Sequence, residues 1–370
     1  MNILVLCKRQ YTARDLLSDQ YGRLYEIPEG MARLGHRVHG LASSYRPRKR
    51  LPPHVSKAGV TWRSANAVPW GPFHASRSLA DAIADCQPDV IWASSDALHA
   101  IWAVEIGRAL QIPVVIDLYD NYEHFGLARL PGISRRYRVA CQAAAGLTIV
   151  SHSLARHVQQ NYSAAGHCGV VGNGVNRAMF HPRDRNNCRR ALGLPENAAI
   201  IGCAGAIQAD RGIEDLFDAF EILARADPTL HLAFAGPRDG TPSRYQHPRI
   251  IDLGILDWRQ VPLLINALDV AVVCNRDSSF GRYCFPLKLA ESLACGVPVV
   301  AAAVGDVNDL LSDPSQRYQP GNANELALKL RQQLSEPILG EAAANAVRDW
   351  HALAGDTVDL LAMCLSRPFN

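Results

Sequence analysis

The feature that most constrains this chain is a recurring pair: a short apolar, β-branched run followed by a stretch with helical periodicity. In the first half the runs cover residues 2–7, 37–41, 89–93, 113–118 and 147–150. The last three are apolar almost throughout, as parallel strands are when both faces of their sheet are covered. Between them the periodicity predicts helices over 29–34, 76–85, 97–110 and 134–144. Gly35-His36 ends the first helix and opens the second strand, with glycine as the C-cap. This alternation builds βαβ units and therefore a doubly wound α/β sheet.

The pattern stops and starts again. After Gly172-Asn173-Gly174-Val175 comes a polar, proline-containing stretch from Phe180 to Asn187. Strands at 198–203, 230–234, 270–274 and 297–302 follow, with helices at 213–226 and 286–295. A chain of 370 residues exceeds one ordinary domain and suits two of about 150–200 residues. The expected division is an N-terminal Rossmann-like domain over 1–180 and a C-terminal one over 181–349. A last helix, within 350–370, is expected to pack back on the first domain. Two doubly wound domains facing across a cleft would present the carboxyl ends of both sheets, where open α/β folds bind ligands.

Composition removes several classes. No apolar run reaches the roughly eighteen residues of a membrane-spanning helix. The opening apolar stretch ends at Lys8-Arg9 and has no basic region before it, unlike a signal peptide. Ten cysteines are scattered without a C-x-x-C pair, which argues against zinc and disulfides and for a reducing cytoplasm. Net charge is only +3, but Arg46-Pro47-Arg48-Lys49-Arg50 is a local cluster. It is either a solvated loop or a peripheral contact with anionic headgroups through Arg46, Arg48, Lys49 and Arg50, at about 1 kcal/mol each. No aromatic-rich basic stripe points to nucleic acid.

The densest chemistry lies between Asp277 and Gly305. A strand leads into Ser278-Ser279-Phe280-Gly281, and Pro286 is expected at the first position of a helix, where its missing N–H is not needed. A helix N-terminus carries unpaired N–H groups and about half a positive charge. Gly281 permits close backbone approach, and Lys288 adds a full charge. Together they describe a diphosphate site. Glu291, one turn on, borders the buried stripe formed by Leu287, Ala290 and Ala294. It either pairs with Lys288 on the surface or accepts from ligand hydroxyls such as those of a ribose.

With these residues in view, the chain resembles the family-4 retaining glycosyltransferases of the GT-B architecture along almost its whole length. Gly35-His36-Arg37-Val38, Asn173-Gly174-Val175 with Phe180 and Pro182, Gly205 with Arg211-Gly212, and Phe280-Gly281 through Cys295-Gly296-Val297-Pro298-Val299-Val300 follow the family's order and spacing. The resemblance implies that Arg211 and Lys288 bind the diphosphate of a nucleotide-sugar donor and that Glu291 holds its ribose. The Phe280-Gly281 backbone would face the phosphates, and Gly22, beside Arg23, would mark an N-terminal glycine loop. It further implies transfer to a glycan, lipid-linked or small-molecule hydroxyl with retained anomeric configuration, and neither metal nor cofactor.

Two positions depart from the family. Tyr283 stands where a first glutamate is usual, and Pro286-x-Lys288-x-x-Glu291 marks a branch that often lacks that glutamate. The usual histidine after the fourth strand falls near Tyr119, leaving Asp120, Glu123 and His124 as neighbouring acceptor-side candidates; Asp120 and His124 are the catalytic ones. The same fold also serves nucleotide-sugar 2-epimerases, and a non-catalytic sugar-nucleotide-binding subunit would lack a catalytic group. Ser151-His152-Ser153 lacks the glycines of a hydrolase nucleophile elbow. No G-x-G-x-x-G follows either opening strand, against a dinucleotide oxidoreductase.

Overall fold

The computed structural model describes residues 1–11, 14–46, 49, 51–66, 71–339, 345 and 347–366. It forms two compact units. The first comprises Met1–Asn173, Tyr283–Phe285 and Trp350–Asn370, and the second Gly174–Arg282 and Pro286–Asp349. The second unit begins before the polar Phe180–Asn187 stretch because its entry is already tied to its own far end. The Val175 N–H donates to the Arg348 carbonyl at 3.1 Å, and Arg177 donates to the Val347 carbonyl at 2.6 Å.

The main sheet of the first unit comprises β1 (Asn2–Lys8), β2 (Arg37–Ser44), β3 (His54–Val55), β4 (Thr61–Asn66), β5 (Val90–Ser94), β6 (Val114–Leu118), β7 (Gly146–Ile149) and β8 (His167–Val170). Their order in the sheet is β8-β7-β6-β5-β1-β2-β4-β3. In this sheet, among the described residues, only the short edge strand β3 runs antiparallel to its neighbour. Side chains alternate across the sheet, so β1 sends Ile3 and Val5 into one core layer and Leu4 and Leu6 into the other. Helices α1 (Arg23–Arg33), α2 (Gly71–Cys86), α3 (Ala97–Leu110), α4 (Pro131–Ala143) and α5 (His152–Asn161) connect the strands. Strand β4 escaped the sequence reading because Arg63, Ser64 and Asn66 break its apolar pattern.

In the second unit the strands are β9 (Ala199–Ala204), β10 (Leu230–Ala235), β11 (Ile250–Asp252), β12 (Val270–Val273), β13 (Val299–Ala302) and β14 (Arg317–Tyr318). They lie in the order β11-β10-β9-β12-β13-β14. Helices α6 (Arg185–Leu192), α7 (Glu214–Ala224), α8 (Val261–Ala267), α9 (Leu287–Ala294) and α10 (Ala323–Ser335) accompany them. Leu216, Phe217, Phe220 and Leu223 form the buried stripe of α7, while Glu214 and Asp215 occupy its first turn, where the helix dipole favours carboxylates. Among the described residues, no helix is long and apolar enough to cross a membrane, and all ten cysteines are free thiols.

The last helix, α11 (Trp350–Cys364), belongs to the first unit and sits on three glycines. A Cβ at Gly30 of α1 would lie 2.4 Å from the Ala354 Cβ, one at Gly146 2.6 Å from the Cys364 Sγ, and one at Gly169 2.7 Å from Leu360. At Gly30 the opposing atom is the Cβ of a helical alanine, which cannot swing aside. Gly30→Ala should therefore destabilise the first unit by about 1–3 kcal/mol through overpacking. That cost outweighs the roughly 1 kcal/mol by which alanine exceeds glycine in a helix interior. Urea denaturation should show the loss and its recovery in Gly30→Ala with Ala354→Gly. A single variant as stable as the parent would refute this seat for the helix.

Candidate functional site

The sheet of the second unit reverses its strand order between β9 and β12, the switch point at which open α/β sheets bind ligands. Two glycines shape the floor there. Gly205, just beyond β9, has φ +120°, and Gly236, just beyond β10, has φ +143°; only glycine adopts such angles without strain. A Cβ on Gly236 would lie 1.9 Å from the Gly205 carbonyl oxygen, and one on Gly205 would lie 2.3 Å from the Lys288 Cε. Lys288 thus crosses directly over the Gly205 backbone, and its Nζ lies 3.4 Å from the Ala206 carbonyl, to which it donates.

Lys288 stands in the first turn of α9. The proline expected at the first helical position is one place earlier: Leu287 opens the helix, and Pro286 is the N-cap, with no side chain capping the turn. Its ψ of 76° is outside the helical range, so it supplies only a carbonyl, which accepts from the Leu289 and Ala290 N–H groups. A helix start without an acidic cap keeps its partial positive charge available to an anion. Lys288, Glu291 and Ser292 border a cavity barely large enough for one water, otherwise lined by Cys203, Ala204 and buried apolar residues of β12 and α8. The i, i+3 spacing therefore puts Lys288 and Glu291 on one face, as read from the sequence.

Arg211 and Phe280 come together although 69 positions separate them. The guanidinium carbon of Arg211 lies 3.8 Å from the centroid of the Phe280 ring, a cation–π contact that fixes the cation's plane. Asp210 is 3.7 Å away and largely exposed, so its competition for the charge is weak. Gly281 is constrained by its own loop. A Cβ there would lie 2.0 Å from the Arg276 carbonyl, and its N–H donates to the Ser278 Oγ at 3.1 Å. Closure of its own loop therefore already requires glycine at this position.

Arg276 was not apparent from the sequence. It donates to Glu214 at 2.7 Å, lies 3.5 Å from Asp215 and reaches the Ala209 carbonyl at 3.5 Å. Asp215 is in turn held by the Tyr318 hydroxyl at 3.1 Å and the Gly321 N–H at 2.8 Å. Arg276 thereby fastens the Ala209–Arg211 turn to the loop after β12. The available signal was an arginine just past β12, with two carboxylates opening the helix that follows β9.

The first unit holds the other expected residues. Gly22, with φ +81°, is the N-cap of α1. Arg23 beside it is fully buried and makes a bidentate pair with Asp117 at 2.6–3.1 Å. It therefore serves the core and is shielded from a ligand. Tyr119 donates its hydroxyl to the Ser95 carbonyl at 3.2 Å. The Asp120 carboxylate accepts from the Asn121 N–H at 2.8 Å. Burial would raise the Glu123 carboxyl, but Arg138 and Ser134 offset this and hold it below its ordinary value. His124 is exposed.

Tyr283 packs against His157 of α5, the ring planes tilted by 41° with centroids 4.8 Å apart, and its carbonyl accepts from Ser151 at 2.7 Å. Ser151 therefore caps and tethers, with no nucleophile geometry. In the basic cluster Arg46 and Lys49 are exposed, whereas Arg48 and Arg50 lie outside the described residues.

Comparison with known proteins gives this geometry a family. A model described as Glycosyltransferase Family 4 matches residues 23–178, and one described as Glycosyl transferases group 1 matches residues 198–336. A D-inositol 3-phosphate glycosyltransferase from Thermomonospora curvata is 35% identical over 222 residues, which are 52% of this chain and 50% of that protein. The chain thus spans about half the length of that curated relative.

Among solved structures, sucrose-phosphate synthase from Thermosynechococcus elongatus superposes with a TM-score of 0.77 at 19% identity, covering 97% of this chain and 98% of that one. Anabaena HepE in complex with UDP gives 0.73 at 18% identity, covering 98% and 100%. At these identities the two structures speak for the fold alone, two Rossmann-like domains of the GT-B class. The two models meet almost end to end, one on each Rossmann-like half, and by them the chain belongs to the family-4 glycosyltransferases.

Proposed function

We propose that the protein is a retaining glycosyltransferase that moves a sugar from a nucleoside-diphosphate sugar to a hydroxyl acceptor. The observation that carries this reading is the placement of Lys288, Arg211 and the uncapped start of α9 just beyond β9 and β12, the two strands that flank the switch point. Breaking the bond between sugar and diphosphate leaves growing negative charge on the phosphate. Preorganised cations and N–H groups stabilise that charge as it develops. Glu291, one turn beyond Lys288 on α9, is suited to accept from the ribose hydroxyls. Retention of configuration is what family membership favours.

A thermal-shift screen of UDP-, GDP-, ADP- and dTDP-sugars tests the donor. UDP-sugars come first, because the Anabaena relative was solved with UDP. A donor at a hundred times its Kd should stabilise the protein by about 2.7 kcal/mol. NMR of the product should then show the donor's anomeric configuration. The reading fails if no nucleotide sugar shifts the melting temperature. An isomerised donor appearing without acceptor would replace transfer by epimerisation.

A further inference from the structure

The loop after β12 leaves the second unit for three residues. Tyr283, Cys284 and Phe285 count with the first unit, whereas Arg282 before them and Pro286 after them count with the second. Tyr283 and Phe285 both pack on the core layer of the first unit that holds Tyr137, Leu154 and Val158.

The segment is seated at both of its ends. At Tyr283, the fully buried Ser151 hydroxyl donates to the carbonyl at 2.7 Å. The same oxygen accepts from the Leu154 N–H at 3.1 Å and so caps α5. A cap uses only a lone pair, which leaves the hydroxyl proton for the Tyr283 carbonyl. The Tyr283 ring lies against His157, and its hydroxyl is 3.3 Å from the His157 Nδ1. Burial lowers the His157 imidazole from its ordinary value, which favours the neutral ring whose Nδ1 can accept. At Phe285, the ring occupies the space a side chain would take at Gly172, where a Cβ would lie 3.0 Å from the Phe285 Cε2. The Gly172 carbonyl in turn accepts from the buried Arg23 at 2.6 Å.

The chain neighbours of this segment are the donor-side residues. Phe280, three positions before Tyr283, carries the Arg211 guanidinium over its ring. Pro286, directly after Phe285, is the N-cap of α9, and Lys288 stands in that helix's first turn. A loop already held in one shape loses little conformational freedom when a ligand arrives, and affinity rises accordingly. The glutamate usual at position 283 has no ring to lay on an imidazole, so this seat belongs to the tyrosine. Resting on the transferase reading above, we propose that Tyr283 is a positioning residue: seated on His157 and Ser151, it holds Phe280 with Arg211 and the start of α9 in the shape that receives the donor diphosphate. Its effect therefore falls on nucleotide binding and needs no sugar.

Calorimetric titration of the full chain with UDP, GDP, ADP and dTDP tests this, using whichever binds the parent. Tyr283→Ala and His157→Ala should each weaken that nucleotide by about fivefold or more through lost preorganisation. Tyr283→Phe keeps the ring on His157 and should stay within about twofold of the parent. The double variant Tyr283→Ala with His157→Ala should bind no more weakly than either single one, since both remove the same contact. The donor KM should rise by the same factor with kcat nearly unchanged, the signature of uniform binding. If Tyr283→Ala does not fold, Tyr283→Leu takes its place. Unaltered nucleotide affinity in that variant overturns the assignment, and a lowered kcat beside it would place the side chain on the transferred sugar. Losses that multiply in the double variant overturn it as well. A parent that binds none of the four nucleotides would instead count against the donor reading itself.

Discussion

Lys288→Ala is expected to lower turnover at least a hundredfold while leaving the fold intact. Its side chain crosses Gly205 and ends 3.4 Å from the Ala206 carbonyl. That contact is long and its partner is uncharged, so little folding energy depends on it. The larger effect falls on the reaction. Removing one preorganised donor from a site of developing negative charge raises the barrier by about 3–4 kcal/mol, and a factor of one hundred corresponds to about 2.7 kcal/mol. Arg211, stacked on Phe280, remains in the variant and accounts for a residual rate. The measurement is kcat with a donor that shifts the parent's melting temperature, alongside urea denaturation of both proteins. A near-normal kcat in Lys288→Ala would remove Lys288 from the donor site.

Much of this site was legible because its parts are close in sequence. The strand, the glycine loop and Lys288–Glu291 on one helical face all fall within residues 270–291, where periodicity and turn chemistry act. Arg211 came from family resemblance, and its contact with Phe280 depends on two loops that meet only once β9 and β12 are paired. Arg276 was invisible for the same reason, since its partners Ala209, Glu214 and Asp215 lie on the far side of that pairing. The sequence does not show that Gly281 is also needed to close its own loop, where a Cβ would meet the Arg276 carbonyl. The short strands β3, β11 and β14, of two or three residues each, are too brief to show an alternating pattern.

The buried pair Arg23–Asp117 shows the same limit in the core and carries the largest stability effect expected in the molecule. The partners are 94 positions apart, and both side chains are fully buried. Arg23 joins the start of α1 to the end of β6 and also donates to the Val171 and Gly172 carbonyls at 2.8 and 2.6 Å. Asp117 accepts from Ser94 on β5 and Thr148 on β7, both at 2.7 Å. Trp92 donates to the same Thr148 at 3.2 Å. Three strands and a helix therefore meet at one carboxylate.

Asp117→Asn leaves the guanidinium buried without a counter-charge and turns an amide NH₂ toward groups that are themselves donors. Breaking a buried ion pair from one side costs about 3–5 kcal/mol, against about 5–15 kcal/mol for the whole stability of an ordinary domain. Arg23→Met should cost a similar amount by stranding Asp117, while Arg23→Met with Asp117→Leu should recover most of the loss, since apolar replacement of both partners is often neutral. Urea titration followed by tryptophan fluorescence, with Trp92 at the centre of the network, measures all three. If Asp117→Asn loses less than about 1 kcal/mol, the pair belongs with exposed salt bridges in its energetics, and the first unit must owe its rigidity at this point to packing alone.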